Sequence, residues 1–344
     1  MKSGIWVLVI VAALAAGCGR NAGTKPIGKT TVITAPLGLP PVPVPADNPP
    51  TEETIALGKK LFFDPRLSAD GKAPCSACHS PEHGFSDGRK TSMGVRGQLG
   101  KRNAPTIFNS AYSPLQFWDG RAASLEDQAA GPIANPIEMD MPHTDCVTRV
   151  QEDPEYQALF AKAFGPGAIG MTQIQKAIAA YERTILSGNS PFDRYYYGGD
   201  KEAMSPAAVR GFAVFMDREK GNCSACHQVG TQFALFTDGQ FHNLGAGMNS
   251  EGELTDLGRY DQTKSDADRG AFKTPTLRNI TLTAPYMHDG SLRTLRAVVD
   301  FYVGGGNSNP HLDKQIKPLP LTGQDREDLV TFLEALTSEN PRQR

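Results

Sequence analysis

The sequence predicts a mostly α-helical protein built as two halves related by internal duplication, with long irregular loops. Three observations carry this. The pentapeptide Cys-Ser-Ala-Cys-His occurs twice, at residues 75–79 and 223–227. Apolar residues between these copies recur at helical spacing, and long alternating runs are absent. Gly and Pro, 35 and 26 of 344 residues, cluster between the periodic stretches and mark them off as turns and loops.

The duplication extends well beyond the pentapeptides. Gly58-x-x-x-Phe62-x-Asp64 recurs as Gly211-x-x-x-Phe215-x-Asp217, and Phe85-Ser86-Asp87-Gly88 as Phe236-Thr237-Asp238-Gly239. Pro105-Thr106-Ile107-Phe108-Asn109 recurs as Pro275-Thr276-Leu277-Arg278-Asn279. An Asp-Gly pair follows each at the same distance, at Asp119 and Asp289, and then a leucine, Leu125 and Leu295. Self-similarity on this scale means a repeated domain. The halves divide near residue 200, into 51–200 and 201–344.

The helices follow from periodicity and caps. Ile174, Ile178, Tyr181 and Ile185 share a helical face after Thr172, a candidate N-cap with Gln175 completing a capping box. Ser205-Pro206 opens another helix. Leu329, Phe332, Leu333 and Leu336 form an apolar stripe after Thr322, a further cap candidate.

The N-terminus reads as separate from the fold. Lys2 precedes an apolar run, residues 5–16, that is too short for a membrane anchor and ends in Ala15-Ala16-Gly17-Cys18. This is the pattern of an export signal, residues 1–17. Its tail resembles a bacterial lipobox, with Ala15 where Leu is commonest, which would leave Cys18 lipidated and the protein periplasmic and tethered to a membrane. Residues 18–50, rich in proline, read as a stiff spacer or as a disordered N-terminus. With a formal net charge of -2 and no basic stripe, nucleic-acid binding is excluded as a function class.

C-x-x-C-H is the attachment motif of a c-type haem: two thiols hold the porphyrin and the histidine holds one face of the iron. Cys75, Cys78 and His79 would serve one haem, and Cys223, Cys226 and His227 another. Zinc would need further soft ligands at each site. A redox dithiol would sit in a βαβ pattern. Cys146, left over, reads as a small buried hydrophobe.

The sixth iron position decides what such a protein does. In the second half, Leu295, Val299 and Tyr302 lie on one helical face, so Tyr302 points inward. The matching residue of the first half is Pro132, which has no donor. The first haem is therefore expected to be open and the second closed. Tyr302 and Met287 compete as its ligand, and a core tyrosine is the bland alternative. Gln128 and Glu138 have Val298 and Ser308 as counterparts. An amide and a carboxylate over an open iron suit peroxide chemistry, although a surface glutamate is the commoner fate.

From Glu52 onward the chain resembles the bacterial di-haem cytochrome c peroxidases, including their MauG-like branch. The resemblance rests on Leu61-Phe62-Phe63-Asp64-Pro65, both pentapeptides, Arg102-Asn103-Ala104-Pro105-Thr106, Phe117-Trp118-Asp119-Gly120-Arg121 and Thr283-Ala284-Pro285-Tyr286-Met287-His288-Asp289-Gly290. It implies two cytochrome c-like haem domains, with the His79 haem reacting with hydrogen peroxide. It also implies Gln128 as distal amide, Glu138 as acid–base, Trp118 as an interhaem relay, Tyr302 as the second haem's axial ligand, and calcium at Asn103, Thr283 and Pro285. Many relatives carry a blocking histidine sixteen residues after the first haem histidine. Here Val95 stands there, which predicts activity without reductive priming. The partners so implied are peroxide and a small periplasmic donor, cytochrome c or cupredoxin, with a homodimer as a further expectation. A MauG-like oxidase that modifies a partner protein and a non-catalytic electron carrier are the alternative functions.

Overall fold

The computed structural model describes residues 24–167 and 169–339. The stretch read from sequence as an export signal, and Cys18, lie outside the described residues. Helices dominate. In the first half they are α1 (Glu52–Phe63), α2 (Leu125–Ala134), α3 (His143–Gln151), α4 (Pro154–Phe164) and α5 (Met171–Glu182), followed by α6 (Pro191–Tyr196). The second half has α7 (Pro206–Met216), α8 (Tyr260–Thr263), α9 (Leu295–Val303) and α10 (Gly323–Glu334). The strands described, β1 (Phe241–His242) and β2 (Phe272–Lys273), are antiparallel, with Phe241 opposite Lys273. Irregular loops and single turns make up most of the remainder.

The repeated Gly-x-x-x-Phe motif is a helix-crossing device. α1 crosses α5 at Gly58, where any side chain would run into the Ala177 carbonyl. α7 crosses α10 at Gly211, where it would run into the Asp328 carbonyl. Four residues on, Phe62 and Phe215 are almost wholly buried, as one helical turn places them on the same face. The crossings anchor a separate apolar core in each half. Leu57, Leu61, Ile174 and Ile178 belong to the first, and Phe215, Leu329, Phe332 and Leu333 to the second. Cys146, fully buried, belongs to the first.

Two of the three helix starts fall where the sequence put them. The Ser205 side chain accepts from Ala208 N–H at the head of α7, and Thr322 forms a capping box with Asp325 at the head of α10. The third differs. α5 begins after Gly170, with Thr172 inside its first turn, and Gln175 reaches across to the Glu126 carbonyl instead of closing a capping box. Ile185 lies beyond the helix end at Glu182.

Residues 24–50, read from sequence as a spacer, lie against both halves. Ile27 N–H bonds to Ala163 O, and Thr30 pairs with Thr51. Asn48 is fully buried, and its side chain reaches Glu126 and the Lys176 carbonyl. On the other side, Arg278 donates to the Gly38 carbonyl at 2.8 Å while holding Asp193 at 2.8 Å through both terminal nitrogens. Arg278 and Asp193 are 1% and 0% exposed, so this ion pair is a fully buried clamp on the segment.

Candidate functional site

Each pentapeptide folds as a single 3-10 turn followed by its histidine. His79 Nδ1 lies 3.1 Å from Phe85 O, and His227 Nδ1 lies 2.8 Å from Phe236 O. A carbonyl accepts only, so Nδ1 carries the proton and Nε2 keeps its lone pair, the state an iron ligand needs. Phe85 and Phe236 take the left-handed conformation, φ 57° and 52°, which turns their carbonyls back toward the rings. Burial depresses the basicity of both histidines and keeps them neutral. Among the described residues no disulfide ties up the cysteines of either motif.

One continuous cavity of about 1020 Å³ spans the two halves. Cys78, His79, Cys223, Cys226 and His227 line it. This volume lies at the upper end of the range for single small-molecule sites, which suits large flat groups. Ligand atoms of Cys226, Asp238 and His242 also come within 4.8 Å of one another. His242, however, spends one nitrogen on Asp238 at 2.9 Å and the other on Asp313 at 2.6 Å. The ring has no free lone pair for a metal.

The residues nominated for the sixth iron position face this cavity. Pro132 lies inside α2 and Tyr302 near the end of α9, and both line the cavity, as does Met287. Gln128 is one turn before Pro132. Glu138 follows α2 in a turn closed by Asn135, whose amide donates to Glu138 Oε1 at 3.0 Å. Burial raises the Glu138 pKa above the ordinary carboxylate value, with Arg121 pulling the other way. Val95, by contrast, is 1% exposed, and its N–H bonds to the Glu138 carbonyl at 2.8 Å. Gly94 makes that approach possible, since a side chain there would strike the Ile137 carbonyl.

Trp118 sits where the halves meet. Its indole N–H donates to Asn103 O at 2.9 Å, and its own carbonyl accepts from Lys273 N–H at 2.8 Å. The next residue, Asp119, bonds to Arg102 at 2.7 Å, and Arg102 reaches Asp256 of the second half with two nitrogens, at 2.7 and 2.9 Å. Phe272 stacks on His288 at 3.5 Å nearby. Asn103, Thr283 and Pro285 all line the cavity.

Two halves, two haem-type turns and a shared cavity now stand beside the sequence relationships. Residues 52–202 match the di-haem cytochrome c peroxidase family and residues 208–337 match cytochrome c. The cytochrome-c peroxidase IdrP1 of Denitromonas iodatirespirans is 43% identical over 335 residues, spanning 89% of this chain and 87% of the relative. The chain belongs to the di-haem cytochrome c peroxidase family. The methylamine utilization protein MauG of Methylorubrum extorquens is also 43% identical, over 87% of this chain and 82% of its own. The crystal structure of a MauG-like protein associated with microbial copper homeostasis superposes with a TM-score of 0.79 at 35% identity, covering 90% of this chain and 96% of that one. The family member is an oxidoreductase with two c-type haems, and its two domains are cytochrome c-like.

Sequence reasoning passed over three residues that the structure brings to the site. Glu182 lines the cavity, 4% exposed, with no hydrogen-bond partner for Oε2 among the described residues. Lys273 crosses between the halves, donating to Ser113 Oγ and Leu115 O. Arg102 ties the Trp118 turn to Asp256. Counting along the duplication would have flagged two of them: Arg102 falls opposite Phe272, and Asn103 opposite Lys273.

Proposed function

We propose that this protein is a di-haem peroxidase that reduces hydrogen peroxide in the half carrying His79. Electrons arrive through the half carrying His227 and Tyr302, from a small periplasmic cytochrome c or cupredoxin. Cys75 and Cys78 hold one haem and Cys223 and Cys226 the other. The observation that carries the reading is the asymmetry of the cavity. At one pair of equivalent positions the first half has a proline and the second a tyrosine, and Gln128 and the raised-pKa carboxyl of Glu138 have Val298 and Ser308 as their equivalents.

A haem held by Cys75, Cys78 and His79 would supply the redox chemistry for cleaving the O–O bond. The protein's part is proton handling and orientation. Glu138, ionised, takes the proton from the near oxygen of hydrogen peroxide and returns it to the departing oxygen, so that water rather than hydroxide leaves. Two electrons and two protons complete the reduction of one peroxide to two waters. The Asn135 amide holds the Glu138 carboxyl in one rotamer, and Gln128 offers hydrogen bonds to the substrate oxygens. Trp118, bonded into both halves, is the path for electrons between them. Val95, held away from the cavity and tied to the Glu138 backbone, leaves nothing to displace before peroxide enters. The enzyme then needs no priming.

Asn103, Thr283 and Pro285 fit a calcium ion between the halves. They offer one amide oxygen and two carbonyls, and no N–H or O–H among the described residues bonds to the Thr283 or Pro285 carbonyl. No described helix is long and apolar enough to cross a membrane, in keeping with a periplasmic protein held by a lipid on Cys18.

Peroxide turnover by the oxidised holoprotein, compared with Glu138→Gln, tests the reading. The variant is expected to lose about a hundredfold or more in rate with its haem spectra intact. An unchanged rate removes Glu138 from the mechanism. Tyr302 also favours a second reading, a protein-modifying oxidase of the kind MauG names. A covalent change in a co-expressed partner on adding peroxide would select it.

A further inference from the structure

Between Arg102 and Glu138 the second half follows the first at a constant offset. Pro105 corresponds to Pro275, Asp119 to Asp289 and Leu125 to Leu295. The structure obeys this register closely. Phe117 and Met287 share a positive φ, 67° and 72°, as do Gly120 and Gly290, 69° and 62°. The bridge Gln116–Ala122 is repeated as Tyr286–Leu292. The halves also exchange one bond reciprocally. Asn103 N–H donates to His288 O at 2.7 Å, while Lys273 N–H donates to Trp118 O at 2.8 Å, and Trp118 and His288 are themselves equivalents.

In the same register the three residues assigned to calcium have mates. Asn103 corresponds to Lys273, Thr283 to Ser113 and Pro285 to Leu115. These mates are joined in the structure. Lys273 Nζ donates to Ser113 Oγ at 2.7 Å and to Leu115 O at 2.6 Å. We propose that the duplication has produced two quasi-equivalent cation positions between the halves, and that the Lys273 ammonium is the permanent occupant of the second. The inference builds on the calcium reading of Asn103, Thr283 and Pro285.

The chemistry of the two positions is the same in kind. Each takes its oxygens from the turn ahead of an Asp-Gly pair, the Thr283 and Pro285 carbonyls in one and the Ser113 hydroxyl and Leu115 carbonyl in the other, and each lies beside the backbone of the partner half. A partly buried carbonyl with no donor costs free energy, so the Thr283 and Pro285 carbonyls call for a cation, while at the twin position the Leu115 carbonyl accepts from Ser113 Oγ at 2.7 Å as well as from Lys273. At the Trp118 turn the chain supplies its own. No carboxylate among the described residues bonds to Lys273 Nζ. Burial lowers its pKa to about 8, with Asp119 opposing, which leaves it mostly charged at neutral pH. The turn carrying the interhaem tryptophan is thereby fixed without dependence on free metal. The turn carrying His288 is left to calcium. Lys273 is a positioning residue, acting through the Ser113–Trp118 turn.

Calcium bound per chain decides the matter, measured by atomic emission on purified holoprotein equilibrated with about 1 mM calcium chloride, near the upper end of extracellular calcium sites. The wild type is expected to hold one ion, Lys273→Asn two, and Asn103→Lys none. Wild type one and Lys273→Asn still one overturns the inference. Wild type none and Lys273→Asn one refutes calcium at Asn103 but upholds the cation role of Lys273. None in either refutes both. If Lys273→Asn accumulates only in calcium-supplemented medium, the metal is replacing the ammonium and the inference stands. Failure to accumulate in both media counts against it.

Discussion

Glu138 and Glu182 both face the first-half side of the cavity, and burial raises both carboxyls above their ordinary range. Their surroundings give them different work. Glu138 has Asn135 to orient it and Arg121 to favour its ionised form. As a base it must be ionised, so turnover should fall on acidification at a pH above the ordinary carboxylate range. A pH–rate profile measures this, and Glu138→Gln should abolish that limb. Glu182 stands on α5 where α10 carries Leu333, and Oε2 has no hydrogen-bond partner among the described residues. Its pKa is pushed up to about 8, mainly by burial, with Arg183 opposing and Glu126 adding to it. A raised folded pKa means that the folded state keeps a proton the unfolded chain releases. The stabilisation is complete below the ordinary value of 4.5 and is lost as pH rises through about 8. Replacing Glu182 with Leu, as in the twin, should flatten the fall in melting temperature between about pH 5 and pH 8. Tyr302 tests the other half. Tyr302→Phe should alter the absorption spectrum of the second haem and leave the first unchanged, whereas unaltered spectra would return the axial role to Met287. These side chains were partly legible in sequence. Tyr302 was found by its helical face and Glu138 by comparison of halves. Glu182 was missed because an acid near the end of an apolar helix looks like a solvated cap until its burial is seen.

At the level of elements, the glycines at the two helix crossings were visible as a repeat, but their purpose was not. Only the packed helices show that Gly58 and Gly211 each meet a backbone carbonyl. Caps were legible where a hydroxyl stands alone before the helix, as at Ser205 and Thr322. Thr172 misled because Gly170 can start α5 just as well. The Pro-rich stretch carried no signal for docking. Polyproline segments have no internal hydrogen bonds, so their contacts are settled by distant partners, here Arg278 and Glu126. Arg278 stands at the position of Phe108 in the first half, and its guanidinium is paid for by Asp193 and two chain carbonyls. Arg278→Met should cost about 3–5 kcal/mol in chemical denaturation, because Asp193 is left charged and buried. Adding Asp193→Asn should restore part of the loss. Equal stability of the single variant and wild type would refute the clamp.

Across the whole molecule, near-symmetry places the groups and its breaks assign the work. The reciprocal bonds Asn103 N–His288 O and Lys273 N–Trp118 O, and the Arg102–Asp256 pair, join the halves around one cavity. Within that frame each departure has a consequence: Pro132 against Tyr302, Glu138 against Ser308, Glu182 against Leu333, Lys273 against Asn103. The duplication, and therefore the domain plan, could be read from the chain alone. Which equivalents meet across the interface could not, since an offset in sequence does not reveal a rotation in space. The central claim is that one iron is open and the other capped. Electron spin resonance of the oxidised holoprotein at neutral pH tests it most directly. One high-spin and one low-spin ferric signal are expected, with only the high-spin signal responding to peroxide. Two low-spin signals, both unmoved by peroxide, would contradict the account.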